Sequence, residues 1–183
     1  MEKYIVLLRG INVGGKNKVS MLRLKELFEQ NGYKDVITYI NSGNIFFSSG
    51  ITNEKKLKEE FEAIIVNEFQ LNIPVMIITA NDLISAFAHA PSWWGRDKDS
   101  THNAIFIISP VTFEELSKEV GEINPAYEKI DHYGNVVFWS APIKTYSRTR
   151  WSKLVGSSLY GSITIRNINT FRKISQLAKQ YLE

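Results

Sequence analysis

The chain has 183 residues, of which 44% are hydrophobic, 12% aromatic and 22% charged, and its formal charge is +3. This composition is that of a folded globular protein with well-packed cores, and it excludes an intrinsically disordered chain. The lack of cysteine excludes disulfides, thiolate metal sites and cysteine nucleophiles, and so weak a positive charge does not by itself indicate nucleic-acid binding.

The first 80 residues follow the order strand, helix, strand, strand, helix, strand. Short apolar runs predict the strands at residues 4–8, 36–40, 45–47 and 75–78. The first helix is expected to begin after Ser20 and to end at Asn31-Gly32. An apolar stripe from Leu57 to Phe69 predicts the second helix.

The same order returns after residue 103. Strands are predicted at residues 104–108, 127–130, 136–139 and 163–165, and Thr112 begins a capping-box sequence at the start of a helix. Trp151, Leu154 and Val155 predict a further helix, and a C-terminal helix is expected to be capped by Asn169 or Thr170.

Together these elements predict an α+β fold. We expect two tandem ferredoxin-like units of the β-α-β-β-α-β (α/β-plait) type, with an additional C-terminal helix. The first domain would cover residues 1–80 and the second residues 104–183. Residues 81–103 would form a linker with a short helix and a loop that contains Trp93-Trp94.

The loop after the first strand is the strongest candidate for a binding site. It combines glycines, asparagines and cations in the sequence Arg9-Gly10-Ile11-Asn12-Val13-Gly14-Gly15-Lys16-Asn17. In a split β-α-β unit the first and second strands run parallel, so this loop and the turn Asn41-Ser42-Gly43-Asn44 should lie at the same end of the sheet. We call this predicted cluster the rim (residues 9–19 and 41–44).

The rim predicts a site for a phosphate, carboxylate or nucleobase, because it combines side-chain amides, backbone N–H groups and positive charge. The candidate ligand-binding residues are Arg9, Asn12, Gly14, Gly15, Lys16, Asn17, Asn41, Ser42 and Asn44. The alternative is purely structural, because glycine and asparagine are also the usual residues of tight turns. Turn chemistry does not, however, explain Arg9 and Lys16.

Gly10 to Lys16 also matches the first seven positions of a phosphate-binding P-loop. The eighth residue is Asn17, where the motif requires a serine or threonine for magnesium. The predicted helix begins near Ser20 rather than at the lysine, whereas a P-loop helix begins directly at the phosphates. A nucleoside triphosphatase is therefore disfavoured. The sequence is still compatible with a less specific anion-binding loop built from backbone N–H groups.

Two segments combine cations with tryptophan and suggest contact with nucleic acid. In Arg148-Thr149-Arg150-Trp151-Ser152-Lys153 the helical spacing favours a buried Trp151 with the cations in water. For Trp93-Trp94-Gly95-Arg96 the sequence favours neither a stacking role nor a structural one. Arg166 is expected to be a buried ion-pair partner rather than a binding residue.

The sequence contains no recognisable catalytic or metal motif. Its three histidines lack ligand spacing, and Asp97, Asp99 and His102 indicate a solvated loop rather than a metal site. No nucleophile elbow occurs, and no pair of carboxylates marks general acid–base catalysis. We therefore predict no metal, and the sequence specifies neither a cofactor nor catalytic residues.

The chain resembles a bacterial family catalogued as domain of unknown function 1697. The resemblance rests on Arg9 to Asn17, on Thr38-Tyr39-Ile40-Asn41-Ser42-Gly43-Asn44 and on Thr164-Ile165-Arg166-Asn167, and it covers nearly the whole chain. It implies paired ferredoxin-like domains. It implies no activity and no cofactor.

Three functions therefore stand open. The first is a protein that binds a small anion, a nucleotide or nucleic acid at the rim. The second is an enzyme that acts on a small phosphorylated or carboxylated substrate, and the third is a non-catalytic protein-interaction scaffold.

No run reaches the roughly 18 apolar residues of a membrane span, and no secretory signal is present, so we expect no membrane association and a cytoplasmic protein. The sequence leaves the oligomeric state open.

Overall fold

The computed structural model describes residues 1–183 as a mixed α+β chain with two four-stranded antiparallel sheets. Internal packing divides the chain into two compact units. Unit 1 comprises Met1–Ile84 together with Ile174–Glu183, and unit 2 comprises Ser85–Lys173. None of the helices has the length and apolar character needed to cross a membrane. The domain limits expected from the sequence, residues 1–80 and 104–183, remain a prediction.

Unit 1 contains the sheet that carries the rim. Its elements are β1 (Glu2–Leu8), α1 (Met21–Gln30), β2 (Lys34–Tyr39), β3 (Asn44–Ser49), α2 (Glu54–Phe69), β4 (Val75–Thr79) and the start of α3 (Ala80–Ala88). The strand order is β2-β3-β1-β4, with every neighbour antiparallel. Because β1 and β2 both run antiparallel to β3, they run parallel to each other. The loop after β1 and the turn after β2 therefore lie at the same end of the sheet, as the sequence predicts.

Aromatic side chains hold α1 and α2 on one face of this sheet. The ring of Phe61 from α2 lies 4.1 Å from that of Phe28 and 4.6 Å from that of Phe47, measured between centroids. On the opposite face, Ile5, Leu7 and Phe46 are at most 1% exposed. Neither face of the sheet is therefore open to solvent at these positions.

The end of α5 (Ile168–Leu182) packs within unit 1. The Tyr181 ring meets Phe46 edge-on at 5.7 Å, and its hydroxyl donates a hydrogen bond to the Asp35 carbonyl oxygen at 3.0 Å. Lys3 lies over the same ring and donates to the Tyr181 carbonyl oxygen. These contacts anchor the end of α5 against β1, β2 and β3.

Unit 2 repeats the strand order of unit 1. Its elements are the end of α3, β5 (Ser100–Ile107), α4 (Phe113–Val120), β6 (Lys129–Tyr133), β7 (Val136–Pro142), β8 (Ile163–Asn167) and the start of α5, with the order β6-β7-β5-β8. The capping box predicted at Thr112 is present, because its hydroxyl accepts the Glu115 N–H and the Glu115 carboxylate accepts the Thr112 N–H.

Between β7 and β8 the chain forms three short 3₁₀ helices instead of the predicted α-helix. They cover Ile143–Arg148, Trp151–Gly156 and Tyr160–Ser162. Trp151 and Leu154 are three residues apart and both buried, which fits the three-residue turn of a 3₁₀ helix. Val155, which an α-helical stripe would bury, is 63% exposed.

The predicted cap of the last helix is also wrong by two residues or more. The Asn167 side-chain oxygen accepts the Thr170 N–H at 2.9 Å, so the capping side chain is Asn167 rather than Asn169 or Thr170. The helix consequently begins at Ile168, directly after β8.

Candidate functional site

The two parts of the rim are in direct contact. The Leu8 N–H donates to the Gly43 carbonyl oxygen at 2.8 Å, and the Asn12 side-chain amide donates to the Asn41 carbonyl oxygen at 2.9 Å. The predicted proximity of the loop after β1 and the turn after β2 is therefore correct. The contacts also reveal which groups face inward.

Asn12 holds the rim together. Its amide nitrogen donates to the carbonyl oxygens of Val19 and Asn41, and its amide oxygen accepts the Val19 N–H, all at 2.9 Å. Its backbone has a φ of 54°, in the left-handed region that asparagine tolerates better than other side chains. Asn12 thus closes the loop by bonding its far end, at Val19, and the neighbouring turn, at Asn41.

The tip of the loop is a miniature hairpin. Val13 and Lys16 form an antiparallel bridge, with the Lys16 N–H donating to the Val13 carbonyl oxygen at 3.0 Å. Gly14 and Gly15 lie between them with φ of 57° and 75°, as the two central residues of a type I′ turn require. Below the tip, the Asn17 side chain donates to the Gly10 carbonyl oxygen at 2.9 Å.

In the second part of the rim, Gly43 and Asn44 are buried and tightly packed. Asn44 is fully buried, and its amide donates to the Tyr39 carbonyl oxygen and the Ser42 hydroxyl at 3.0 and 3.2 Å. Gly43 has a φ of 83°, and a Cβ there would lie 2.7 Å from the Leu8 Cβ. The glycine is therefore required by both its conformation and its contact with β1.

The predicted site residues fall into two groups. The side chains of Asn12, Asn17, Ser42 and Asn44 bond within the rim. Lys16 and Asn41 are exposed, and no contact within the chain engages either side chain. The N–H groups of Gly14 and Gly15 likewise have no backbone acceptor. Arg9 is half-buried at the base of the loop.

The charged residues of the rim are all positive. Arg9, Lys16 and Lys18 lie in it, and neither residues 9–19 nor residues 41–44 include an aspartate or glutamate. The loop differs from a P-loop, because α1 begins five residues after Lys16 and the sheet is antiparallel. What remains available to a ligand is a rigid hairpin tip with positive charge and two N–H groups.

The tryptophans of unit 2 are mostly structural. Trp151 is 3% exposed and Trp94 is 7% exposed, and the Trp94 indole donates to the Asn103 carbonyl oxygen at 3.2 Å. Neither ring is available for stacking on a base. Trp93 is half-buried and lines a cavity of about 130 Å³.

That cavity contains a serine–histidine contact that the sequence did not indicate. His102 and Ser140 are directly opposite on β5 and β7, and the His102 Nδ1 lies 2.6 Å from the Ser140 Oγ. The imidazole Nε2 donates to the Asp97 carbonyl oxygen at 2.7 Å, while the Gly95 N–H donates to Nδ1 at 3.0 Å. These partners imply a neutral ring with its proton on Nε2, so the Ser140 hydroxyl donates to Nδ1.

The remaining polar candidates form no metal site. No group of three or more histidine, aspartate or glutamate side chains lies together as metal ligands would. Hydrogen bonds from the Ser100 hydroxyl and the Asp99 N–H lower the pKa of the Asp97 carboxyl.

Arg166 is 6% exposed and donates to the Thr164 hydroxyl and the Ile165 carbonyl oxygen, and burial lowers its pKa to about 10.

The chain belongs to the family described as "Protein of unknown function (DUF1697)", whose model matches residues 1–138. It is similar to the solved structure of the conserved bacterial protein SP0830 from Streptococcus pneumoniae, with 33% sequence identity and a TM-score of 0.84, over 97% of this chain and 98% of that one. The first two RRM domains of the yeast poly(U)-binding protein Pub1 align with 14% identity over 91% of this chain and 98% of that one, but their TM-score of 0.24 supports no inference. No curated protein gives a significant match.

Proposed function

We propose that this chain binds a small phosphate-bearing anion, such as a nucleotide, at the hairpin tip of the rim. The observation that carries the proposal is the charge of the rim, which holds three cations and no carboxylate. Lys16 would supply the charge closest to the ligand, and the N–H groups of Gly14 and Gly15 would bond its oxygen atoms. The exposed Asn41 side chain would add a further donor.

The inward-facing asparagines support this proposal indirectly. A loop that is already fixed loses little conformational entropy when a ligand binds, so its charged groups contribute more of their interaction energy to affinity. Asn12 and Asn17 fix the loop at both ends of the hairpin. In this proposal they position the binding groups, and they do not contact the ligand themselves.

We also propose that both units are ferredoxin-like. The strand orders β2-β3-β1-β4 and β6-β7-β5-β8 support this assignment, as does the placement of α1 and α2 on one face of the first sheet. The 3₁₀ helices between β7 and β8 would then replace the second helix of the motif in unit 2.

The proposal is tested by titrating tripolyphosphate into the ¹⁵N-labelled protein and following the amide resonances. We expect the Gly14 and Gly15 resonances to shift, and Lys16→Ala to weaken binding about tenfold, since a hydrogen bond to a charged group contributes about 1.5 kcal/mol or more. Lys55→Ala is the matched control, because Lys55 is an equally charged but remote side chain on α2. The proposal fails if the glycine resonances do not move, or if both variants weaken binding equally.

An enzyme is the second candidate, and His102 with Ser140 is the observation in its favour. The geometry is poor for catalysis, because the Gly95 N–H already occupies the same Nδ1 lone pair. Transfer of the serine proton to Nδ1 would leave two donors facing each other 3.0 Å apart. Labelling of Ser140 by a fluorophosphonate, absent in Ser140→Ala, would nevertheless establish a nucleophile.

A non-catalytic interaction scaffold is less well supported than either the anion-binding protein or the enzyme. Such a scaffold would use the sheet faces or Trp93-Trp94 as its contact surface. Ile5, Leu7 and Phe46 on the sheet of unit 1 are buried, and so is Trp94, which weighs against both surfaces.

A further inference from the structure

The segment between β7 and β8 carries a concentration of positive charge that the rim does not explain. Residues 143–156, here called the basic segment, comprise the first two 3₁₀ helices of unit 2. They contain no aspartate or glutamate, but they contain four cations, Lys144, Arg148, Arg150 and Lys153. The four positive charges of this segment alone exceed the formal charge of the whole chain, which is +3. All four side chains are exposed.

These cations are not neutralised by neighbouring carboxylates. Ion pairs are found on α1 and α2 of unit 1, where Lys55, Lys56 and Lys58 each pair with a glutamate one turn further on. None of the four ammonium or guanidinium groups of the basic segment forms an ion pair, and the carboxylate in contact with the segment, that of Glu128, bonds its backbone N–H groups. The positive charge of this surface is therefore available to an external anion.

The backbone beneath the cations is held in place from inside unit 2. The Glu128 carboxylate, only 2% exposed, accepts the N–H groups of Arg150 and Trp151 at 2.6 and 3.2 Å and the Trp139 indole N–H at 3.1 Å. Trp151 and Leu154 bury the underside of the second 3₁₀ helix. A fixed backbone presents exposed cations such as Arg150 and Lys153 to a ligand at a small entropic cost on binding.

Aromatic rings lie among the cations. Tyr146 is 38% exposed and packs against Trp139, with 5.4 Å between ring centroids. The Arg148 guanidinium lies 5.5 Å from the centre of the Tyr127 ring and donates to its hydroxyl at 3.2 Å. Exposed tyrosine rings and flat guanidinium groups are the surfaces on which unpaired bases stack.

We propose that the basic segment binds single-stranded nucleic acid, with its cations on the phosphates and Tyr146 and Arg148 against the bases. The arrangement fits this partner better than a membrane surface. The exposed apolar residues Ile143 and Val155 are isolated, and the buried Trp151 and Leu154 lie between them in the sequence, so no continuous apolar face is available to enter a bilayer. This surface belongs to unit 2 and does not depend on the proposed function of the rim.

The test uses the full-length protein and a fluorescein-labelled twelve-residue oligouridine, with anisotropy measured from low to high KCl. Each phosphate contact on a single strand contributes about −0.7 to the slope of log K against log salt. The triple variant Arg148→Gln, Arg150→Gln, Lys153→Gln should therefore reduce the magnitude of this slope by about 1.4, from the phosphate contacts of Arg150 and Lys153, and should also weaken binding through the lost stacking of Arg148. The control is Lys55→Gln, Lys56→Gln, Lys58→Gln, which removes the same charge from α2 and should leave the slope unchanged.

Two further variants keep the proposal testable if the triple variant unfolds. Lys144→Gln with Lys153→Gln avoids both arginines and should reduce the magnitude of the slope by about 1.4. Tyr146→Leu should weaken binding without changing the slope, because stacking is not salt-dependent in the way that phosphate contacts are. Thermal melts of each variant show whether the fold is intact.

The proposal is overturned by any of three results. These are no oligouridine binding at low salt, an equal loss of slope in the α2 control, or binding only to vesicles that contain phosphatidylserine. Lys16→Ala separates this surface from the rim. It should weaken tripolyphosphate binding and leave oligouridine affinity within about twofold, since Lys16 is not part of the basic segment and an exposed charge without a direct contact is screened by salt.

Discussion

Asn12 provides the sharpest test of how the rim is built. Asn12→Ala removes three hydrogen bonds of 2.9 Å and leaves the N–H and carbonyl oxygen of Val19, a residue that is 4% exposed, without these partners. At about 1 kcal/mol for each bond, the loss is about 3 kcal/mol. Alanine must also adopt the left-handed conformation, which costs about 1 kcal/mol more. We therefore expect Asn12→Ala to lower the free energy of unfolding by about 3–4 kcal/mol.

Three matched variants separate the contributions. Asn12→Gly loses the same bonds without the backbone strain, and should be about 1 kcal/mol less destabilised than Asn12→Ala. Asn17→Ala loses a single side-chain bond at a φ of 49° and should cost about 2 kcal/mol. Asn41→Ala removes an exposed side chain without hydrogen bonds and should change stability by less than about 0.5 kcal/mol.

The measurement must report on unit 1. All four tryptophans, at positions 93, 94, 139 and 151, lie in unit 2, so their fluorescence does not report on the rim. Urea unfolding followed by far-UV circular dichroism, with hydrogen exchange of the Val19 amide as the local probe, is suited to the purpose. If Asn12→Ala and Asn41→Ala had equal effects, the reasoning that Asn12 closes the loop would be wrong.

Three other outcomes are expected. Glu128→Gln replaces a charged acceptor of three N–H groups, one of them from Trp139, by a neutral one, and should cost about 2 kcal/mol with a change in tryptophan fluorescence. Partial desolvation and the nearby Asp82 raise the pKa of Glu54, whose side chain is largely exposed, so the folded state disfavours its ionised form and loses some stability as pH rises through this pKa. Glu54→Gln should then raise the melting temperature at pH 7 but not at pH 4; an equal rise at both would exclude titration as the cause. Ile40→Asn should stabilise unit 1 by about 0.5–1 kcal/mol in urea unfolding, because Ile40 has a φ of 50° and asparagine tolerates this region; a loss of stability would show that the isoleucine contacts outweigh the strain.

The topology of unit 1 could be predicted because its strands and helices each have a distinct apolar period. Once the order of elements is known, the parallel direction of β1 and β2 places both parts of the rim at the same end of the sheet. The replacement of an α-helix by 3₁₀ helices could not be predicted, because Trp151 and Leu154 are spaced by three residues, which both helices accommodate. The His102–Ser140 contact was also beyond the sequence, since it depends on the register of β5 and β7.

The rim illustrates why residue types alone could not separate a turn from a site. An asparagine with positive φ that bonds the backbone and an asparagine that presents its amide to a ligand occur in the same glycine-rich context. Only the contacts distinguish Asn12, whose amide is fully engaged, from Asn41, whose side chain is exposed. The turn interpretation therefore accounts for most of the motif, and the binding interpretation is confined to Lys16, Asn41 and the two N–H groups of the tip.

The distribution of backbone strain is the last argument for a function at the rim. Five non-glycine residues have positive φ, and three of them, Asn12, Asn17 and Ile40, lie in the rim or directly beside it. Asparagine tolerates this conformation, but a β-branched residue such as Ile40 does not, and the cost is about 1–2 kcal/mol. Strain of this kind persists only where the surrounding contacts impose it, and it is commonly found at binding and catalytic sites. The strain at Ile40 therefore agrees with the proposed role of the rim, in which this turn holds the exposed Asn41 beside the loop after β1.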